Sequence, residues 1–127
     1  MFRERKKIED HLNLYNKAHI ALDTFPYPGV TTSYESILMG VPVLTMKGFN
    51  FNSRCGESIN KNILMDELIA NDDNDYVEKA KSFIFDKTIN EKYGMELRNK
   101  ALKSPLFDTD KFVKDFESLI KEIYIKN

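Results

Sequence analysis

Short apolar runs alternate with amphipathic stretches along this chain. Ile8, Leu12 and Tyr15 recur at helical spacing, which predicts a short helix ending near Lys17. His19-Ile20-Ala21-Leu22-Asp23-Thr24 is a mostly apolar run closed by polar residues, and Phe25-Pro26-Tyr27-Pro28-Gly29 follows it. Together they read as a buried strand and a loop. Thr31 to Met39 predicts a helix with Gly40 as its C-terminal stop. Val41-Pro42-Val43-Leu44-Thr45-Met46 predicts a second buried strand, with Pro42 at its very start, where a missing N–H does least harm. Ser53 opens another predicted helix running to about Lys61, and Glu67 to Ala70 reads as a short third strand.

The second half is helical. Tyr76, Val77, Ala80, Phe83 and Ile84 share one helix face, with Asp75 as the expected cap. Ile89, Tyr93 and Leu97 mark the next helix, and Ser104-Pro105 interrupts the chain. Phe112, Val113, Phe116, Leu119, Ile120, Ile123 and Tyr124 form a wide stripe on a last helix capped by Asp108, and a stripe this broad predicts a core-facing element. Strands alternating with helices predict an α/β fold with a parallel sheet. Two firm strands and a weak third are few beside so many helices, because a doubly wound domain normally has more. The expectation is a partial sheet that lacks N-terminal sequence.

Composition narrows the class without choosing within it. A chain of 127 residues fits a single domain, and 42% hydrophobic with 31% charged residues is an ordinary soluble balance. The net charge of -1 gives no global field for nucleic acid or an anionic membrane. Cys55 is the only cysteine, so no intrachain disulfide can form. No apolar run approaches the roughly 20 residues that span a bilayer. The charged stretch from Met1 to Asp10 lacks the apolar core of a signal peptide. The expectation is a cytoplasmic protein with neither nucleic-acid nor membrane partners.

Chemistry concentrates in Asp23-Thr24-Phe25-Pro26-Tyr27-Pro28-Gly29-Val30-Thr31-Thr32-Ser33-Tyr34-Glu35, a strand, loop and helix start. In open α/β sheets, ligands bind beyond the carboxyl ends of the strands. A helix N-terminus presents unpaired N–H groups and partial positive charge, which suit a phosphate. Gly29 lets the backbone come close, the Thr31 and Thr32 hydroxyls can donate to phosphate oxygens, and Glu35 can accept from a ribose diol. Equally, Thr32-x-x-Glu35 is a capping box, in which both side chains satisfy helix-end N–H groups. The residues alone leave both readings open.

A run of ordered blocks resembles the O-GlcNAc transferase and SPINDLY-type glycosyltransferases, glycosyltransferase family 41. The blocks are Leu22 to Tyr27, Gly29-x-Thr31-Thr32, Glu35, and Met39-Gly40-Val41-Pro42-Val43. Phe51-x-Ser53-Arg54-x-Gly56-x-Ser58, Glu67-Leu68-Ile69-Ala70, Tyr76-Val77 and Ser104-Pro105-Leu106-Phe107-Asp108 follow in order, with His11-Leu12 and Tyr15 upstream. The resemblance covers about residues 8–125.

It implies a GT-B architecture of two Rossmann-like halves. The single domain 1–127 would be the C-terminal, nucleotide-sugar-binding lobe. Gly29, Thr31 and Thr32 would meet the diphosphate, Glu35 the ribose, and His11 would lie near the base. It implies no cofactor and no metal, with UDP-GlcNAc the default donor and GDP-fucose the SPINDLY-type alternative. The acceptor would be a protein Ser or Thr, engaged through N-terminal regions absent here. The lobe is expected to be incomplete alone, and an N-terminal catalytic half as a separate chain, or a degenerate non-catalytic module, are the rival expectations.

This chain also departs from the family pattern. Val30 stands where the animal enzymes carry histidine. The nearest candidate for a base-contacting lysine is Lys7, one residue out of register. The lysine that supports the leaving phosphates would lie upstream. Arg54 is expected in a structural ion pair, His19 as structural, and Cys55 without a catalytic role for want of a base partner. The resemblance implies that the last helix packs back across the domains, which in a fragment would leave part of its stripe exposed.

Overall fold

The computed structural model describes residues 8–85 and 87–126, with the side chains of 87–92 left aside. The charged positions 1–7, Lys7 among them, and the Ile89 side chain lie outside the described residues.

Three strands, β1 (Ala21–Asp23), β2 (Val43–Met46) and β3 (Ile69–Ala70), form a parallel sheet in the order β1-β2-β3. Asp23 lies opposite Thr45, and Thr45 opposite Ile69. β2 is the middle strand, and its Val43, Leu44 and Thr45 are buried, which is why it reads as continuous apolar sequence rather than as an alternation. Pro42 sits just ahead of β2, and its carbonyl accepts the Ala21 N–H at 2.8 Å. The residue that cannot donate thus still extends the pairing of β1 with β2.

Helices α1 (Ile8–Tyr15), α2 (Thr31–Leu38), α3 (Cys55–Asn62), α4 (Asp73–Phe85) and α5 (Lys87–Leu102, broken by a kink at Gly94) flank the sheet. α2 packs against β1, β2 and α5, while α3 and α4 lie against β2 and β3. The core gathers Ile37, Val43, Ile63, Leu68, Phe83 and Leu97. Gly40 ends α2 with a φ of 78°, and the Val41 N–H reaches back to the Ser36 carbonyl at 2.8 Å while Gly40 N–H bonds Ile37. That is the two-bond left-handed stop for which glycine is the natural residue. Asn60 of α3 is fully buried, and its amide donates to the carbonyls of Val43 and Leu68. This side chain ties α3 to β2 and to the 3-10 turn Asp66–Leu68, which takes up the first half of the predicted third strand and leaves β3 only two residues.

Three expectations change. Asp75 is not the cap of α4; Asp72 is, its Oδ1 accepting the Asp75 N–H at 2.9 Å. Asp75 instead accepts the Asn71 N–H and pairs with Lys79. Of the predicted α4 face only Phe83 is buried, with Val77 and Ile84 exposed. The largest change concerns α6 (Thr109–Ile125), which Asp108 does cap through the Lys111 N–H. None of its residues is buried, and Phe116 is 53% and Leu119 54% exposed. α6 contacts the body chiefly through the preceding 3-10 turn Pro105–Phe107. Amphipathic spacing records that one face needs cover; it does not record whether the body supplies it.

Candidate functional site

The segment singled out by its chemistry forms the turn between β1 and α2, at the carboxyl end of the parallel sheet. Two short runs explain why it folds this way. The apolar run ends in Asp23, a buried carboxylate, and the chain then turns through Phe25 to Val30 before α2 begins at Thr31. Asp23 Oδ1 accepts the Gly29 N–H at 2.6 Å, and its Oδ2 accepts the Thr45 hydroxyl at 2.8 Å. Ser33 Oγ donates to the Gly29 carbonyl at 2.9 Å. Gly29 is therefore held on both sides of its backbone. A β-carbon there would overlap Thr32 Oγ1, so the turn closes only around glycine. α3 comes against the same carboxylate at Gly56, where a side chain would run into Thr45 and Asp23.

The start of α2 is open. Val30 occupies the cap position and supplies no side-chain hydrogen bond. The capping-box reading of Thr32 and Glu35 is thereby overturned, since Thr32 lies inside the helix and the Glu35 carboxylate is engaged elsewhere. Glu35 Oε2 is met by His11 Nε2 at 2.9 Å and by the Tyr15 hydroxyl at 3.2 Å, which donates to it. His11 and Glu35 remain 43% and 32% exposed, so the pair is a surface junction of α1 and α2 and not a sealed core contact. The structure thus brings together Gly29, Thr31 and Thr32 at the helix start, with the Glu35–His11 pair one turn further along.

A cavity of about 290 Å³ opens on the β1 side of this turn, bordered by Tyr15, Asp23, Tyr27, Gly29 and Thr32. A second, of about 360 Å³, opens on the other side between Gly29, Thr31, Thr32 and Cys55. A broader depression of about 660 Å³ continues past Val30 and Cys55 to Phe49, Phe51 and Lys61. The first two are lined by Gly29 and Thr32, whereas the broad depression meets α2 only at Val30 and Tyr34.

The electrostatics follow burial and pairing. Burial pushes the Asp23 carboxyl above its ordinary value, against the pull of the Gly29 and Thr45 hydrogen bonds. Burial also raises the Tyr15 phenol, with the Glu35 charge adding to it. The Tyr76 hydroxyl on α4 is buried with no hydrogen-bond partner among the described residues, and burial and the Asp23 charge raise its pKa. Arg54 forms the ion pair expected of it, at 2.8 Å from Glu57, which Lys61 also contacts. Hydrogen bonds from these two cations hold the Glu57 carboxyl down to about 2. His19 is exposed ahead of β1, and the Cys55 thiol faces the Phe51 carbonyl at 3.6 Å. Among the described residues no group of three or more His, Cys, Asp or Glu converges as metal ligands would, and no helix is long and apolar enough to cross a membrane.

Sequence reasoning missed the ordering role of Asp23, Ser33 and Tyr15. The signal for the first was present, since an acidic residue ending an apolar strand is expensive to bury unless it holds something.

Solved structures share this fold. A mutant O-GlcNAc transferase from Thermobaculum terrenum matches 94% of this chain with a TM-score of 0.85 at 28% identity, over 23% of its own length. The fold is that of a Rossmann-like lobe of a GT-B glycosyltransferase. The sequence profile of glycosyl transferase family 41 matches residues 1–116. The probable UDP-N-acetylglucosamine–peptide N-acetylglucosaminyltransferase SPINDLY of Solanum lycopersicum is 39% identical over 115 residues, which is 91% of this chain. The corresponding protein named SEC from Arabidopsis thaliana is 32% identical over 109 residues, 85% of this chain. The chain belongs to glycosyltransferase family 41. It spans 12% of the length of the tomato protein and 11% of SEC.

Proposed function

We propose that residues 1–127 form a single C-terminal lobe that binds the nucleotide-sugar donor in a protein O-glycosyltransferase, and that the lobe works with parts of the enzyme outside this chain. The observation that carries the reading is the uncapped start of α2, set at the carboxyl ends of parallel strands beside Gly29, Thr31 and Thr32. Backbone N–H groups and the helix dipole there favour a diphosphate. The two threonine hydroxyls add donors. Glu35, held by His11, would offer its remaining acceptor capacity to the ribose, and His11 would lie near the base.

In the complete reaction, a Ser or Thr hydroxyl of the acceptor protein attacks the anomeric carbon, and the nucleoside diphosphate leaves with the bonding electrons. The lobe's part is to hold and stabilise that leaving group, through the helix start and hydroxyls and without a metal. UDP-GlcNAc is the donor favoured by the names of the relatives. The test is amide NMR of the chain titrated with UDP and then GDP. Saturable shifts from Gly29 to Glu35, with UDP preferred, are expected. A dispersed spectrum with no shift up to about 1 mM ligand would sink the reading, since that limit corresponds to only about 4 kcal/mol of binding. Preference for GDP would move the donor to the guanosine class.

A further inference from the structure

We infer that Asp23 is the positioning residue of the nucleotide site, setting the phosphate-facing turn by dividing its two carboxylate oxygens between Gly29 and Thr45. The inference rests on the nucleotide-binding reading above. Three observations lead to it. Asp23 is buried at the end of β1, where an ionised carboxylate is costly unless fully hydrogen-bonded. Its oxygens do different work: Oδ1 takes the Gly29 N–H across the turn, and Oδ2 takes the hydroxyl of Thr45, its register partner on the central strand. The Gly29 carbonyl is held in turn by Ser33 from inside α2. The turn is thus tied to the sheet at one end and to the helix at the other, and Gly56 of α3 closes the space around the carboxylate.

Asp23 itself presents no donor to an anion and carries charge of the wrong sign to bind one. Its contribution acts through Gly29, by fixing the direction in which the first N–H groups of α2 point. Hydrogen-bond geometry should therefore matter, and charge should not. Asparagine can reproduce that geometry, its Oδ1 accepting from Gly29 while its amide donates to the Thr45 hydroxyl. Alanine can reproduce neither bond.

The experiment compares UDP affinity, by amide NMR titration of the full chain, for the parent, Asp23→Ala, Asp23→Asn and Thr45→Val. We expect at least tenfold weaker binding for Asp23→Ala, affinity within threefold of the parent for Asp23→Asn, and an intermediate loss for Thr45→Val. The Gly29 amide proton should lose its downfield, carboxylate-bonded shift in Asp23→Ala and keep most of it in Asp23→Asn. Should Asp23→Ala not fold, Thr45→Val and Asp23→Asn carry the comparison, because both preserve side-chain volume. A folded Asp23→Ala that binds as the parent does would overturn the inference, and so would an Asp23→Asn as weak as the alanine variant. Absence of binding by the parent chain would instead overturn the nucleotide reading, and this inference with it.

Discussion

At the scale of single residues, this chain places its charges where they tie neighbouring structure together. Glu57 is the plainest case. It is buried on α3, yet Arg54 and Lys61 both reach it at 2.8 Å. Its carboxyl is held at about 2 against an ordinary value of 4.5, so the folded chain releases that proton more readily than the unfolded chain does. The contribution to stability is therefore fully present above pH 4.5 and is lost as pH falls toward 2. Asp23 has the opposite sign: burial raises its pKa, so the folded state gains relative to the unfolded one when it is protonated. Glu57→Gln should lower stability at neutral pH by about 1 kcal/mol, a figure kept small because both cations are half in water. It should also flatten the acid limb of a urea-midpoint curve measured between pH 5.5 and 2.5. An unchanged acid limb would show that other carboxylates govern it.

Among the elements, α2 distinguishes the two roles its first turn was open to. Thr31 and Thr32 lie inside the helix behind an uncapped Val30, so their hydroxyls do not hold the helix end. Thr31→Ala with Thr32→Ala should change unfolding free energy by less than about 0.5 kcal/mol, where loss of a true cap costs about 1. On the proposed reading the same variant weakens UDP binding about fivefold to tenfold. A clear loss of stability with unchanged affinity would restore the capping role. The capping box was legible in the sequence as spacing, but spacing could not show that α1 lies close enough to offer Glu35 two better partners in His11 and Tyr15. Elements set by local rules were legible: the left-handed stop at Gly40, the Asp108 cap of α6 and the break at Ser104-Pro105 all stand where the sequence puts them. The cap of α4 was missed by one turn, since Asp72 and Asp75 are chemically identical and only the path of the chain chooses between them.

For the molecule as a whole, burial is unevenly distributed. The sheet, α2, α3 and α5 make a closed core, whereas α6 stands with its apolar face uncovered. The sequence carried the need for cover but not its source, because periodicity is a property of one helix and burial a property of two. Phe116→Lys with Leu119→Lys should leave the amide spectrum of β2 unchanged and the unfolding midpoint of the body within about 0.5 kcal/mol, as for other exposed substitutions. Binding of a hydrophobic dye should fall. A large drop in stability would show that the stripe packs on the body after all.

The uncapped start of α2 has one more consequence on the proposed reading, for how such a lobe can change over time. A cradle made of main-chain N–H groups takes none of those donors from a side chain. Val30 can drift, and even the threonines can be exchanged at moderate loss, while the turn persists through Asp23, Gly29 and Ser33. Selection on what the site accepts can then act on the surrounding side chains, and the part that grips the phosphates is inherited intact.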